Sequence, residues 1–140
     1  MTSLSNTGIT GGCLCGAVRY ALSGPPLDAG YCHCRVCQRA NGAPVVAWTT
    51  VRISAFEYTQ GTPSRFASSS RYQREFCAAC GTPLVFRRQV APEFVDVTLA
   101  SLDEPSLISP EYHIWRASRI AWFETADELP RHAAAGPDQD

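Results

Sequence analysis

Seven cysteines in three short motifs constrain this chain more than any other feature of its sequence. GGCLCG contains Cys13 and Cys15, CHCRVC contains Cys32, Cys34 and Cys37, and FCAACG contains Cys77 and Cys80. The N-terminus has no cationic start followed by an apolar run, so we expect an intracellular compartment in which thiols stay reduced. An odd number of thiols also cannot pair completely as disulfides. The clustering therefore predicts metal ligands, and a fold that brings distant motifs together.

The seven thiols divide most simply into a group of four and a group of three. In FCAACG, two sulfurs can bind one ion while Gly81 relieves crowding in the turn. In an extended GGCLCG segment the two cysteine side chains point to the same face, so this pair can complete a four-cysteine zinc site. The CHCRVC trio then forms a three-ligand zinc centre with an open position. A division in which the trio takes a cysteine from another group remains open at this stage.

The length of the chain predicts one domain, residues 1–130. A disordered tail, residues 131–140, is expected to follow, since the chain ends in RHAAAGPDQD. The longest apolar stretch, APVVAW, is far shorter than the about 20 residues that a membrane span needs. We therefore expect a soluble, cytoplasmic protein. The sequence does not indicate an oligomeric state.

Charge is distributed unevenly along the chain. Residues 1–90 contain nine Arg and three acidic residues, a formal +6, whereas residues 91–140 contain three Arg and ten acidic residues, a formal −7, which together give the net −1. The basic half can offset buried thiolate charge. Arg35 and Arg39, next to the trio, are also candidates for binding carboxylates of an anionic ligand. A net charge near zero and the lack of a basic run argue against nucleic acid as a partner.

Short alternating segments predict a mainly β fold. Val18, Tyr20 and Leu22 alternate with polar or small residues, and similar patterns recur later in the chain. The further predicted strands are VVAW at 45–48, Tyr72/Arg74/Phe76, PLVF at 83–86, Val95/Val97/Leu99 and Ile120/Trp122. One helical turn is expected after Cys34 toward Asn41, and residues 102–112 are expected to form an ordered connection because two prolines interrupt them. We predict few or no helices beyond single turns.

Two histidines are candidates for a role near the predicted metal centre. His33 stands between two predicted ligands and, in extended geometry, faces away from them, so we interpret it as a neighbour of the metal site rather than a ligand. His113 is interpreted as a strand histidine whose ring is hydrogen-bonded to backbone, with a proton shuttle as the alternative.

The three motifs, in the order GGCLCGAVRY, CHCRVCQRANGAP and FCAACGTPLVF, with a later TLASLDEP and HIW, resemble the glutathione-dependent formaldehyde-activating enzyme family. Its domain is shared with centromere protein V. The resemblance covers roughly residues 11–130 and implies a zinc-stapled fold of packed antiparallel sheets. It implies a structural zinc on Cys13, Cys15, Cys77 and Cys80, and a zinc at the active centre on Cys32, Cys34 and Cys37.

The resemblance further implies condensation of glutathione with formaldehyde to S-hydroxymethylglutathione, formally a carbon–sulfur lyase reaction in reverse. A zinc with three thiolates should acidify water weakly, which disfavours hydrolysis and favours an incoming thiol such as glutathione. Two other functions remain open at this stage. One is a non-catalytic glutathione or thiol-adduct carrier, and the other is a zinc-stabilised interaction module.

Overall fold

The computed structural model describes residues 8–136 and shows ten strands, one α-helix and four short 3₁₀-helices. The strands are β1 (Ile9–Gly12), β2 (Arg19–Leu22), β3 (Asp28–Cys32), β4 (Val46–Arg52), β5 (Phe56–Gln60), β6 (Ser64–Ala67), β7 (Tyr72–Phe76), β8 (Pro83–Arg88), β9 (Phe94–Thr98) and β10 (His113–Ile114). Helix α1 spans Arg35–Asn41, and the 3₁₀-helices span Ile53–Ala55, Leu99–Ser101, Pro105–Leu107 and Arg116–Ser118. The fold is mainly β, as the sequence predicts.

The strands form two sheets, one of three strands in the order β1-β2-β5 and one of seven in the order β10-β3-β4-β9-β8-β7-β6. The strand pairs are antiparallel, with the exception of the parallel pair between β10 and β3. Within residues 8–136, no helix is long and apolar enough to cross a membrane.

The core lies between the two sheets, because strand side chains alternate between faces and each sheet turns its apolar face inward. Tyr20 and Leu22 of the small sheet belong to one buried cluster with Val51, Val85 and Val97 of the large sheet. Burial of such side chains supplies the main driving force for folding. The other face of the large sheet carries polar and aromatic residues instead.

One row of paired residues crosses that second face. Asp28 of β3 pairs with Thr50 of β4, which pairs with Asp96 of β9. Asp96 in turn pairs with Phe86 of β8, which pairs with Arg74 of β7. Directly paired residues project to the same side of a sheet, so all five line one surface.

The C-terminal segment lies alongside β10. The backbone N–H of His132 donates to the carbonyl of His113 at 2.8 Å, and that of Trp115 donates to the carbonyl of Ala134 at 2.9 Å. The sequence predicts a disordered tail for residues 131–140, whereas the backbone of residues 132–134 is hydrogen-bonded here. Residues 137–140 lie outside the described residues.

Two local predictions are wrong. Ile120 and Trp122 do not form a strand, because the chain turns there, with the N–H of Phe123 donating to the carbonyl of Ile120 at 3.0 Å, and Trp122 is 76% exposed. A three-residue alternation is too short to distinguish a strand from a turn. The GGCLCG segment is also not extended at its cysteines, since a turn closes with the N–H of Gly16 donating to the carbonyl of Cys13 at 3.2 Å.

Candidate metal centres

The first candidate metal centre joins two turns that are far apart in the chain. The sulfurs of Cys13, Cys15, Cys77 and Cys80 all lie within 4.8 Å of one another. Cys13 Sγ is 3.7 Å from Cys15 Sγ, which is 3.8 Å from Cys77 Sγ. Four sulfurs at about 2.3 Å from a tetrahedral zinc are about 3.8 Å apart, so this cluster fits the ion.

Local backbone geometry places Cys77 and Cys80 for this role. They flank the tight turn between β7 and β8, where the N–H of Gly81 donates to the carbonyl of Cys77 at 2.7 Å. Gly81 adopts φ +80°, a left-handed conformation that suits glycine. The Thr82 hydroxyl, 3.1 Å from Cys80 Sγ, lowers the pKa of that thiol to about 5 and so favours the thiolate that a metal binds.

The second candidate metal centre is the trio of Cys32, Cys34 and Cys37, whose sulfurs also lie within 4.8 Å of one another. Cys32 ends β3, and Cys34 is the N-cap of α1, with its sulfur accepting from the N–H of Cys37 at 3.2 Å. A strand end and a helix start thus place all three thiols around one point. No His, Cys, Asp or Glu elsewhere in residues 8–136 joins them as a fourth donor.

The three thiols influence one another strongly. Hydrogen bonds from Cys32 and Cys37 lower the pKa of the Cys34 thiol, while the bond to Cys34 raises the pKa of Cys32. Ionisation of one thiol therefore opposes ionisation of its neighbours, and a bound cation would offset that repulsion. None of the seven cysteines, all within the described part of the chain, forms a disulfide. The donor set therefore fits a thiophilic metal such as zinc.

A cavity of about 310 Å³ opens beside the trio, on the exposed face of the large sheet. Its aromatic lining includes Trp48, Tyr72, Phe86, Phe94, Tyr112 and Trp115. Trp115 has φ +58° and Ala91, also in the lining, has φ +48°, the two non-glycine residues with left-handed backbone within residues 8–136. Strained backbone of this kind is typical of functional sites.

Arg74 connects the cavity to the trio. Its Nη2 donates to Cys37 Sγ at 3.6 Å, and its guanidinium lies over the rings of Phe86, at 4.9 Å from the centroid, and Trp48, at 5.9 Å. Phe86 in turn stacks on Tyr72, with centroids 4.8 Å apart. The sequence predicts a strand that contains Arg74 but no function for it. Nothing in the alternation of Tyr72, Arg74 and Phe76 indicates which residue contacts a cysteine 37 positions away.

Arg35 and Arg39, the arginines predicted to bind ligand carboxylates, lie on α1 and are exposed. Arg35 donates to Oε1 of Gln38 at 2.6 Å. Neither arginine is among the residues that line the cavity beside the trio.

The two histidines form a buried chain of hydrogen bonds. His33 Nε2 lies 2.8 Å from His113 Nδ1, and His113 Nε2 lies 3.1 Å from the carboxylate of Asp127. Because the carboxylate can only accept, His113 donates to it from Nε2 and accepts from His33, which leaves His33 Nδ1 buried without a partner among the described residues. Burial lowers the pKa of His33 to about 4. His33 is not a member of either cysteine cluster, while the ring of His113 bonds to side chains rather than to backbone.

Asp96 contributes a carboxyl to the cavity lining. The Thr50 hydroxyl donates to its Oδ1 at 2.6 Å, the one hydrogen bond of this side chain within residues 8–136. Burial raises the pKa of Asp96 to about 6, with a further contribution from the charge of Asp28, against the opposing effects of Thr50 and Arg74. Nothing in the sequence indicates a function for Asp96, because it is an isolated acidic residue within β9 and belongs to no motif.

Fold and site together define a β protein with two separate cysteine clusters that could each bind a metal, one of them beside a cavity. The sequence profile of the glutathione-dependent formaldehyde-activating enzyme family matches residues 8–118. The chain belongs to this family.

Individual relatives agree with the assignment. The chain is 26% identical to the Halomonas elongata protein named "Putative glutathione-dependent formaldehyde-activating enzyme", over 94% of this chain and 90% of that protein. It is 32% identical to an uncharacterized lyase of Schizosaccharomyces pombe, over 54% of this chain and 55% of that protein, so the match spans about half of its length. The crystal structure of a Rhodobacter sphaeroides protein matches with a TM-score of 0.57 and 26% identity, over 68% of this chain and 88% of that one.

Proposed function

We propose that this protein is a zinc-dependent, carbon–sulfur lyase-type enzyme that condenses a thiol such as glutathione with formaldehyde to S-hydroxymethylglutathione. The observation that carries the proposal is the trio of sulfurs without a fourth protein donor among residues 8–136, opening on a cavity. Family membership and a lyase-named relative support the same reaction class.

In the proposal, each cysteine cluster holds one zinc. Cys13, Cys15, Cys77 and Cys80 would hold a closed, structural ion, and Cys32, Cys34 and Cys37 an ion with an exchangeable position. A zinc on the trio would supply the charge that keeps an incoming thiol deprotonated at neutral pH. The proposal includes a cytoplasmic location, where thiols stay reduced and available to a metal.

The chemistry needs no oxidant or reductant. The thiolate sulfur forms a bond to the carbonyl carbon of formaldehyde, the π electrons of the C=O bond move to oxygen, and that oxygen takes up a proton. The residues of the cavity contribute by confining both reactants and by excluding bulk water, through aromatic walls such as Trp48, Phe86 and Trp115. The sequence-based prediction that Arg35 and Arg39 bind the carboxylates of glutathione is part of this proposal. The glutathione affinities of Arg35→Met and Arg39→Met test it.

Metal content tests the division of the ligands. Wild-type protein should contain two zinc ions per chain, and Cys34→Ser should contain one, because serine is a poor zinc ligand but still a good N-cap for α1. Elemental analysis of the purified proteins gives the ratio. Retention of two ions by Cys34→Ser would defeat the three-ligand centre.

Turnover tests the reaction itself. The rate of S-hydroxymethylglutathione formation, followed by NMR exchange, should exceed the spontaneous rate in wild type and fall to it in Cys34→Ser. Tight glutathione binding without acceleration would indicate the non-catalytic carrier instead.

A further inference from the structure

Arg74 lies at the boundary between the trio and the cavity and contacts both. Its guanidinium contacts two aromatic rings and donates from Nη2 to Cys37 Sγ at 3.6 Å. An arginine stacked on rings loses little conformational freedom when it forms another hydrogen bond, because its planar fork is already oriented.

Among the residues that the structure describes, no carboxylate forms an ion pair with this guanidinium, although its charge lowers the pKa of Asp96 across the same cavity. The ion pairs found within residues 8–136 use Arg19, Arg87, Arg116 and Arg131, and His113, but not Arg74. Its Nε is buried without an acceptor, and within the same residues the bond to Cys37 is the one hydrogen bond of the group. A cation that lines a cavity, with N–H groups unused, is an incomplete receptor for an anion.

From these contacts we infer that Arg74 is the anion-binding residue of the cavity, positioned for a carboxylate of the ligand whose sulfur occupies the trio. The identity of the ligand as a thiol rests on the proposed function. The sulfur contact at 3.6 Å places the carboxylate a few bonds from the thiol, as in a mercaptocarboxylate or a cysteinyl peptide. Arg74 thereby selects acidic thiols over neutral thiols of the same size.

A pair of alkylating reagents tests this assignment without requiring thiol binding or turnover. Iodoacetate carries a carboxylate, iodoacetamide is its neutral counterpart, and both modify cysteine. Trypsin releases Cys37 alone in residues 36–39, since it cleaves after Arg35 and Arg39, so mass spectrometry reads this cysteine separately. The measured quantity is the ratio of the iodoacetate rate to the iodoacetamide rate at Cys37 in the zinc-containing protein.

Arg74→Met should lower that ratio about tenfold, the factor that corresponds to loss of a charge-assisted hydrogen bond. Arg71→Met is the matched control, because Arg71 is exposed, precedes the same strand and does not line the cavity, and its ratio should equal that of wild type. An unchanged ratio in Arg74→Met would overturn the assignment. A lower ratio in Arg39→Met but not in Arg74→Met would also overturn it, and would assign anion binding to Arg39 on α1.

A second measurement covers the case in which Arg74→Met folds poorly. In wild type, acetate should slow the iodoacetate reaction at Cys37 with saturation, whereas acetamide should not, and a lack of saturation counts against an anion site.

Binding of 3-mercaptopropionate and its amide to wild type then separates the two proposals. Preference for the acid supports both, and equal binding of the two thiols removes the carboxylate assignment while thiol binding stands. If neither thiol binds, the proposed function is wrong. The alkylation ratio at Cys37 then still decides whether Arg74 binds an anion.

Discussion

At the scale of the residue, Asp96 in the cavity lining lowers the free energy of unfolding at neutral pH. Its carboxyl lies in the lining with one hydrogen-bond donor, Thr50, among the described residues, and burial raises its pKa to about 6. Because the folded-state pKa is above the unfolded value, folding is favoured by the protonated form, and stability decreases as the pH rises from about 4 to above 6. The charges that act on it come from Asp28 on β3 and Arg74 on β7.

Asp96→Asn should therefore stabilise the protein above pH 6, by the order of 1 to 2 kcal/mol, because asparagine keeps the Thr50 bond without a charge to bury. The gain should shrink toward pH 5, where the aspartic acid is mostly protonated. Urea unfolding of both proteins at pH 5 and pH 8 gives the two differences. An equal difference at both pH values would contradict the raised pKa.

At the scale of the element, the β7–β8 turn depends on one left-handed residue. Gly81 has φ +80°, and a methyl group on its Cα would have no neighbouring atom within 4 Å, so a side chain there meets conformational strain rather than a clash. Gly81→Ala should destabilise the fold by about 1 to 2 kcal/mol and weaken metal retention at the four-cysteine cluster, because Cys77 and Cys80 lie in the same turn. Thermal unfolding and chelator competition measure the two effects, and a neutral outcome in both would mean that the turn relaxes freely.

Helix α1 shows how one residue at this scale can have two roles. Cys34 serves as a prospective metal ligand and as the N-cap that accepts from Cys37 N–H. Gly42 ends the helix with φ +61°. The sequence predicts a single turn here, and the structure extends it to seven residues because both ends are capped.

At the scale of the whole molecule, the two clusters should differ in what they contribute to stability. The four-cysteine cluster connects positions 13 and 80 of the chain, whereas the trio spans residues 32 to 37. Metal binding to a site that is absent from the unfolded chain adds its free energy to folding, and the four-cysteine cluster closes the larger loop. The free energy of unfolding should therefore fall by several kcal/mol in Cys80→Ser and by much less in Cys34→Ser. Thermal unfolding of the two variants provides the comparison, and equal losses would argue against separate structural and functional roles.

The sequence predicts much of this molecule because its strongest signals are local. Strands β2, β7 and β9 follow from alternation, β8 follows from the apolar run PLVF, and the grouping of the cysteines follows from motif spacing. The cavity does not, because Arg74, Asp96 and Trp48 come together only through the order of strands in the large sheet. The hydrogen-bonded chain of His33, His113 and Asp127 depends in the same way on the parallel placement of β10 beside β3.

The cavity lining runs from Gly30 to Ala135, since the last hydrogen-bonded segment lies beside β10 at its rim. During synthesis on the ribosome, the cysteine trio therefore emerges about a hundred residues before the last segment of the cavity rim. Until then the rim of the cavity beside these sulfurs is incomplete, and we expect them to be more open to competing ions and oxidants than in the finished protein.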